Sequence, residues 1–137
     1  MLEDDGQVYL QIEEIEGLPM DEELLRTVSC RIICDAGMYS IDCQAISSTG
    51  GVVFDNRRLL VVRSANKNLD DTVKIQVLSG GEGNIARFLA MIEVRYTDLA
   101  ASSGLLLTRS FSCEGRACDI HLVPFVEYGA YRESGHD

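Results

Sequence analysis

The stretch Val8-Tyr9-Leu10-Gln11-Ile12-Glu13-Glu14-Ile15-Glu16-Gly17-Leu18-Pro19 decides how this chain is read. Val8, Leu10 and Ile12 alternate with Tyr9, Gln11 and Glu13. Successive side chains of an extended strand point to opposite faces, so the alternation gives one apolar face and one polar face. Gly17, Leu18 and Pro19 then supply turn chemistry that ends the strand.

Working outward, short apolar and β-branched segments recur at residues 28–34, 38–46, 59–62, 73–77, 88–94, 105–111 and 120–126. With the opening strand they make eight. The breaks carry turn residues, as in Asp35-Ala36-Gly37, Ser47-Ser48-Thr49-Gly50-Gly51, Asn66-Lys67-Asn68 and Ser102-Ser103-Gly104. Strands this closely spaced, without long helices between them, predict an all-β fold: an eight-stranded antiparallel β-sandwich. Helix is expected only over residues 21–26, which have carboxylates in the first turn and Arg26 in the last, and in a single turn after Asp98. The expected organisation is a flexible N-terminus at 1–6, one sandwich domain at 7–127 and a flexible tail at 128–137.

A chain of 137 residues with 46% hydrophobic content suits one core, burying roughly two thirds of the unfolded surface. No apolar run approaches the ~20 residues of a membrane span, and the acidic start is unlike a secretory signal. The net charge of −10 is local. Nine of the 22 acidic residues lie in residues 1–25, where there is no Lys or Arg; the other 13 face 12 basic residues, a net of −1. Such a segment repels nucleic acid and anionic leaflets, so no nucleic-acid partner is expected. Five cysteines, an odd number with no export signal, point to reduced thiols in the cytoplasm. Cys113 and Cys118 flank a short turn and could face one another across a hairpin, although a small buried apolar role suits them better.

The order of segments resembles the C2-domain family over residues 7–127. The opening alternation followed by Gly17-Leu18-Pro19 is similar to the family's first strand and its Leu-Pro turn. Val73-x-Ile75-x-Val77, a loop, and Phe88-Leu89-Ala90-x-Ile92-x-Val94-x-x-x-Asp98-Leu99 are similar to its paired central strands, with Ala90 where Gly is usual. The opening pattern as strand one, with a further strand at the end, resembles the circularly permuted type II topology.

Calcium requires six to eight oxygen ligands, several of them carboxylates. The resemblance places the family's acidic positions on Asp21, Thr27, Ser79 and Gly81, with Glu82 the sole carboxylate between Ser79 and Arg87. These degenerate loops imply that no metal and no cofactor is bound. The family's Lys-rich concave face would fall on strands that here carry only Arg31, opposed by Asp35 and Asp42.

Other stretches carry competing readings. Arg57, Arg58, Arg63 and Lys67 form a basic stretch suited to solvated strand ends or to an acidic headgroup such as a phosphoinositide. The loop Gly80-Gly81-Glu82-Gly83-Asn84 matches a loose dinucleotide fingerprint, and a helix starting at Asn84 would gather Ile85, Phe88, Leu89 and Ile92 on one face. No repeated strand–helix–strand units accompany it. His121 lies in an apolar strand with no local nucleophile, so no catalytic residue and no enzyme is expected. The resulting expectation is a calcium-independent binding module of a larger cytoplasmic, scaffold or cytoskeletal protein. It would meet a protein partner, preferably basic, through Glu13, Glu14, Glu16, Asp21, Glu22 and Glu23. Peripheral membrane binding through the basic stretch is the second reading, with apolar loop tips at Leu24 and Leu25 as another contact, and nucleotide binding through the glycine loop is the third. Oligomeric state, the identity of the partner and the parent protein are not encoded in any motif.

Overall fold

A computed structural model describes residues 7–18, 27–34, 37–45, 51–54, 60–63, 72–79 and 87–127. Among them, β1 (Gln7–Glu16), β2 (Thr27–Cys34), β3 (Gly37–Ala45), β4 (Val52–Val53), β5 (Leu60–Arg63), β6 (Thr72–Ser79), β7 (Arg87–Arg95), β8 (Leu107–Cys113) and β9 (Arg116–Glu127) form two sheets, and α1 (Tyr96–Ala101) joins β7 to β8. Every strand pairing is antiparallel. The first sheet, sheet A, runs β4-β1-β9-β8, with β5 also on the β4 side of β1; the second, sheet B, runs β3-β2-β6-β7. The first and last strands are therefore central neighbours in one sheet.

The alternation read in β1 is the cause of its position. Val8, Leu10, Ile12 and Ile15 are buried and their neighbours are not. Ile12 and Ile15 are three apart, which would break the period, but the register with β9 slips between Ile12 and Glu14. The extra residue, Glu13, forms a β-bulge that returns Ile15 to the core. Cys30 and Ile32 of β2, Val73, Ile75 and Val77 of β6, Ile92 and Val94 of β7, and Ile120 and Leu122 of β9 complete the same core. Each such aliphatic side chain contributes about 1.5–3 kcal/mol by leaving water.

Eight strands match the eight expected segments; the ninth, β4, has no counterpart in the sequence pattern. Two residues are too short for a periodic signal, and β4 is set by pairing alone, Ile15 with Val52 and Glu14 with Val53, while the Phe54 amide donates to the Glu13 carbonyl at 3.1 Å. The expected turn after Asp98 is a helix that begins earlier, at Tyr96, because Tyr96 and Leu99 both bury against the sandwich. Leu105 and Leu106, expected at the start of a strand, are exposed after that helix, and β8 begins at Leu107. Pro124 lies within β9 opposite Leu10, yet costs no ladder bond. A strand residue's N–H and C=O point to the same side; Pro124 C=O accepts from the Gly104 amide at 2.7 Å, and β8 pairs β9 only as far as Leu122. The missing N–H therefore falls beyond the end of β8.

Residues 87–95 are a strand paired with β6, so the helix required by the dinucleotide reading does not form and the segment is one arm of an antiparallel hairpin. Residues 1–6, 21–26 and 128–137 lie outside the described residues.

Candidate binding surface

Glu16, Thr27, Ala45, Ser79, Arg87 and Arg116 all terminate strands at one end of the sandwich. At that end Arg87 reaches Glu114 of the β8–β9 turn at 2.9 Å, an ion pair between the two sheets. Gly17 is pinned beneath it: its carbonyl accepts from Arg116 Nε at 3.3 Å and from the Cys118 thiol at 3.4 Å. Its φ is +88°, and a Cβ there would meet the Ala117 carbonyl oxygen at 2.7 Å, so only glycine suits both the backbone and the gap. Leu18, fully buried, then pulls the chain back toward the core.

The β8–β9 turn is a two-residue one, with Glu114 at φ 51° and Gly115 at φ 79°. Positive φ at both central residues is the type I′ pattern that fits hairpin twist. Cys113 pairs with Arg116 and Cys118 with Phe111, so the two cysteines are diagonal neighbours on the buried face, not directly opposed as the hairpin reading had them. Both are free thiols. Burial pushes the Cys113 thiol up, with Cys118 adding to it, and burial raises Cys118 despite the nearby Arg116. They are small core side chains.

The outward face of β1, β9 and β8 is polar by alternation toward the Glu16 end, with Val123 and Phe125 as apolar exceptions farther along. Glu14 lies opposite His121 and Glu16 opposite Asp119. His121 Nε2 is 2.6 Å from Glu16 Oε1, and its Nδ1 is 2.8 Å from the Thr108 hydroxyl. With Nε2–H donating to Glu16, Nδ1 is left to accept from the Thr108 hydroxyl. Ser110 donates to Asp119 at 2.7 Å and Gln11 to Glu13 at 2.6 Å, while at the far end Tyr9 donates to Glu127 at 2.9 Å. The hydroxyl–imidazole–carboxylate order of Thr108, His121 and Glu16 is that of a nucleophilic relay, but it lies along an open sheet face.

Neither a family model nor a curated protein matches the sequence. Solved structures do match. A C2-domain structure is 9% identical and covers 89% of this chain and 98% of its own, with a TM-score of 0.58. The fold is C2-like. A C2 domain of plant extended synaptotagmin 1, at 7% identity and TM-score 0.60, covers 90% of this chain and 97% of its own. Human GIVD cytosolic phospholipase A2, at 11% identity and TM-score 0.62, covers 91% of this chain but only 16% of its own, so the chain spans about a sixth of that enzyme. At these identities the likeness is one of fold.

Within this C2-like sandwich the sequence-derived residues separate. Glu13, Glu14 and Glu16 share the outward face of β1. Asp21, Glu22 and Glu23 lie outside the described residues, as do Gly81 and Glu82 of the degenerate calcium loops and the whole Gly80-Gly81-Glu82-Gly83-Asn84 loop. Thr27 opens β2, and Ser79, only 4% exposed, closes β6. Arg63 ends β5 beside Val8, at the opposite end of β1 from Glu16, while Arg57, Arg58, Lys67, Leu24 and Leu25 lie outside the described residues. Sequence reasoning missed Asp119, Glu127, Thr108 and Ser110 as neighbours of the acidic β1 segment. The alternation Asp119-Ile120-His121-Leu122 carried a signal for Asp119 alone, and only the pairing of β9 with β1 and with β8 brings the four residues to one face. Sequence reasoning also gave the early strands only Arg31, opposed by Asp35 and Asp42; β6 and β7 add Lys74 and Arg95 to the same outward face as Arg31.

Proposed function

We propose that this chain is a calcium-independent C2-like binding module of type II topology, which docks a basic protein segment on the outward face of β1, β9 and β8 and serves within a larger cytoplasmic or cytoskeletal scaffold. One observation carries the reading: Glu13, Glu14, Glu16, Asp119 and Glu127 share that face, and no Lys or Arg joins them among its described side chains. Tyr9, Val123 and Phe125 lie between the two acidic ends and offer an apolar centre, which suits a docking patch more than a solvated face. The adjacency of β1 and β9 supports type II connectivity. Calcium independence is supported by residue chemistry: the hydroxyls of Thr27 and Ser79 and the bare Gly81 stand where the resemblance would have carboxylates. The module acts by binding, with no catalytic role assigned to Thr108, His121 or Glu16.

The test is fluorescence anisotropy with a labelled Lys/Arg-rich peptide against a neutral peptide of equal length. Wild type is expected to prefer the basic peptide, and Glu14→Lys with Asp119→Lys is expected to weaken it at least tenfold, or about 1.4 kcal/mol. Equal affinity for both peptides rejects the reading. A melting curve with calcium checks the second half, since an ion at 100 times its dissociation constant adds about 2.7 kcal/mol, and no shift at millimolar calcium is expected.

A further inference from the structure

The two outward faces of the sandwich carry opposite charge. On sheet A the outward face holds the carboxylates Glu13, Glu14, Glu16, Asp119 and Glu127, with no Lys or Arg among its described side chains. On sheet B, Arg31, Lys74 and Arg95 stand on the outward positions of β2, β6 and β7, with Glu93 the one described carboxylate among them. That second face is also apolar in part: Met38 is 64% exposed, Phe88 56% and Met91 42%. Phe125, 37% exposed, is its counterpart on sheet A. Outward faces of a two-layer sandwich point in opposite directions, so no copy can bring its own two faces together.

We infer that the chain associates head to tail with further copies of itself, the basic, Met- and Phe-bearing face of sheet B docking on the acidic face of sheet A of the next molecule. The contact is heterologous, since the two patches differ, and patches on opposite sides do not close on one another, so the assembly grows as an open stack. Lys74 lies across from Glu93 in register and Arg31 donates to Gln76 at 3.5 Å, so among the described side chains of this face cations outnumber carboxylates. The net charge of −10 opposes approach at long range. At about 0.1 M salt the screening length is about 10 Å, so that repulsion is damped while contact pairs persist; at about 1 M it is about 3 Å and the pairs weaken too. The inference rests on the acidic-face reading above.

Sedimentation velocity over a concentration series tests it. At about 0.1 M salt the weight-average sedimentation coefficient of wild type is expected to rise with concentration, and the rise to vanish at about 1 M. Glu14→Lys with Asp119→Lys reverses one face, and Arg31→Glu with Lys74→Glu the other. Each variant alone is expected to remain monomeric, and their equimolar mixture to associate, because the reversed faces are again complementary. Recovery on mixing cannot come from misfolded protein. A wild type monomeric at every concentration, or a mixture no larger than its components, overturns the inference. If that wild type still prefers the Lys/Arg-rich peptide, self-association alone has failed; if it does not, the acidic-face reading has failed with it.

Discussion

Cys30 sits mid-way along β2 with its thiol wholly inside the core, and burial pushes its pKa up to about 12 from 9.0. An unfolded Cys30 loses its proton above about pH 9 while the folded one keeps it, so the unfolded state binds fewer protons and stability falls as pH rises. The loss begins at the unfolded value of 9.0 and continues toward about 12, at about 1.4 kcal/mol per pH unit for this one group. Below pH 9 the thiol is neutral in both states and contributes no pH dependence. Cys30→Ala is expected to be less stable at pH 8, through lost packing, and that deficit to shrink as pH rises above 9. Urea midpoints of the two proteins at pH 8 and 10 check this; a deficit that stays constant contradicts it. No feature of the sequence singled out Cys30 among the five cysteines, because burial depends on which sheet covers β2. Gly17 is the contrary case: its place in Glu16-Gly17-Leu18-Pro19 already marked a turn.

At the level of elements, the β8–β9 hairpin shows local chemistry and long-range contact acting together. Gly115 holds φ +79° with open space around an added Cβ, so Gly115→Ala introduces backbone strain without a clash. An L-residue in the left-handed region costs about 1–2 kcal/mol, and Gly115→Ala is expected to lower the unfolding free energy by about that amount with an unchanged denaturant slope. A loss near zero would show that the turn relaxes to another type. The strands were legible from period two and from turn residues, and each expected segment became a strand with ends shifted by a few residues. What escaped was what period cannot carry: β4, too short to have one; the Glu13 bulge; and the start of α1 at Tyr96, drawn in by a buried ring.

The whole molecule is closed by its ends. β1 and β9 pair along nearly their full lengths, and Tyr9 reaches Glu127 across 118 positions of sequence. Such non-local pairing gives β9 a role that no local segment can replace, since it lies between β1 and β8 and sends Cys118, Ile120 and Leu122 into the core. Truncation after Cys113 is therefore expected to abolish the cooperative thermal transition seen by near-ultraviolet circular dichroism; a truncated chain that still melts sharply would place the stability in sheet B.

By itself the sequence determined the all-β class, the strand positions and the acidic character of β1, because side-chain alternation, turn residues and charge are local properties. The tertiary structure alone decided which strands are neighbours. That choice set Asp119, His121 and Thr108 beside Glu14 and Glu16, turned Cys113 and Cys118 into diagonal neighbours, and separated an acidic face from a basic one. Pairing and register are settled by burying every apolar face at once, a condition on the whole chain that no single segment contains.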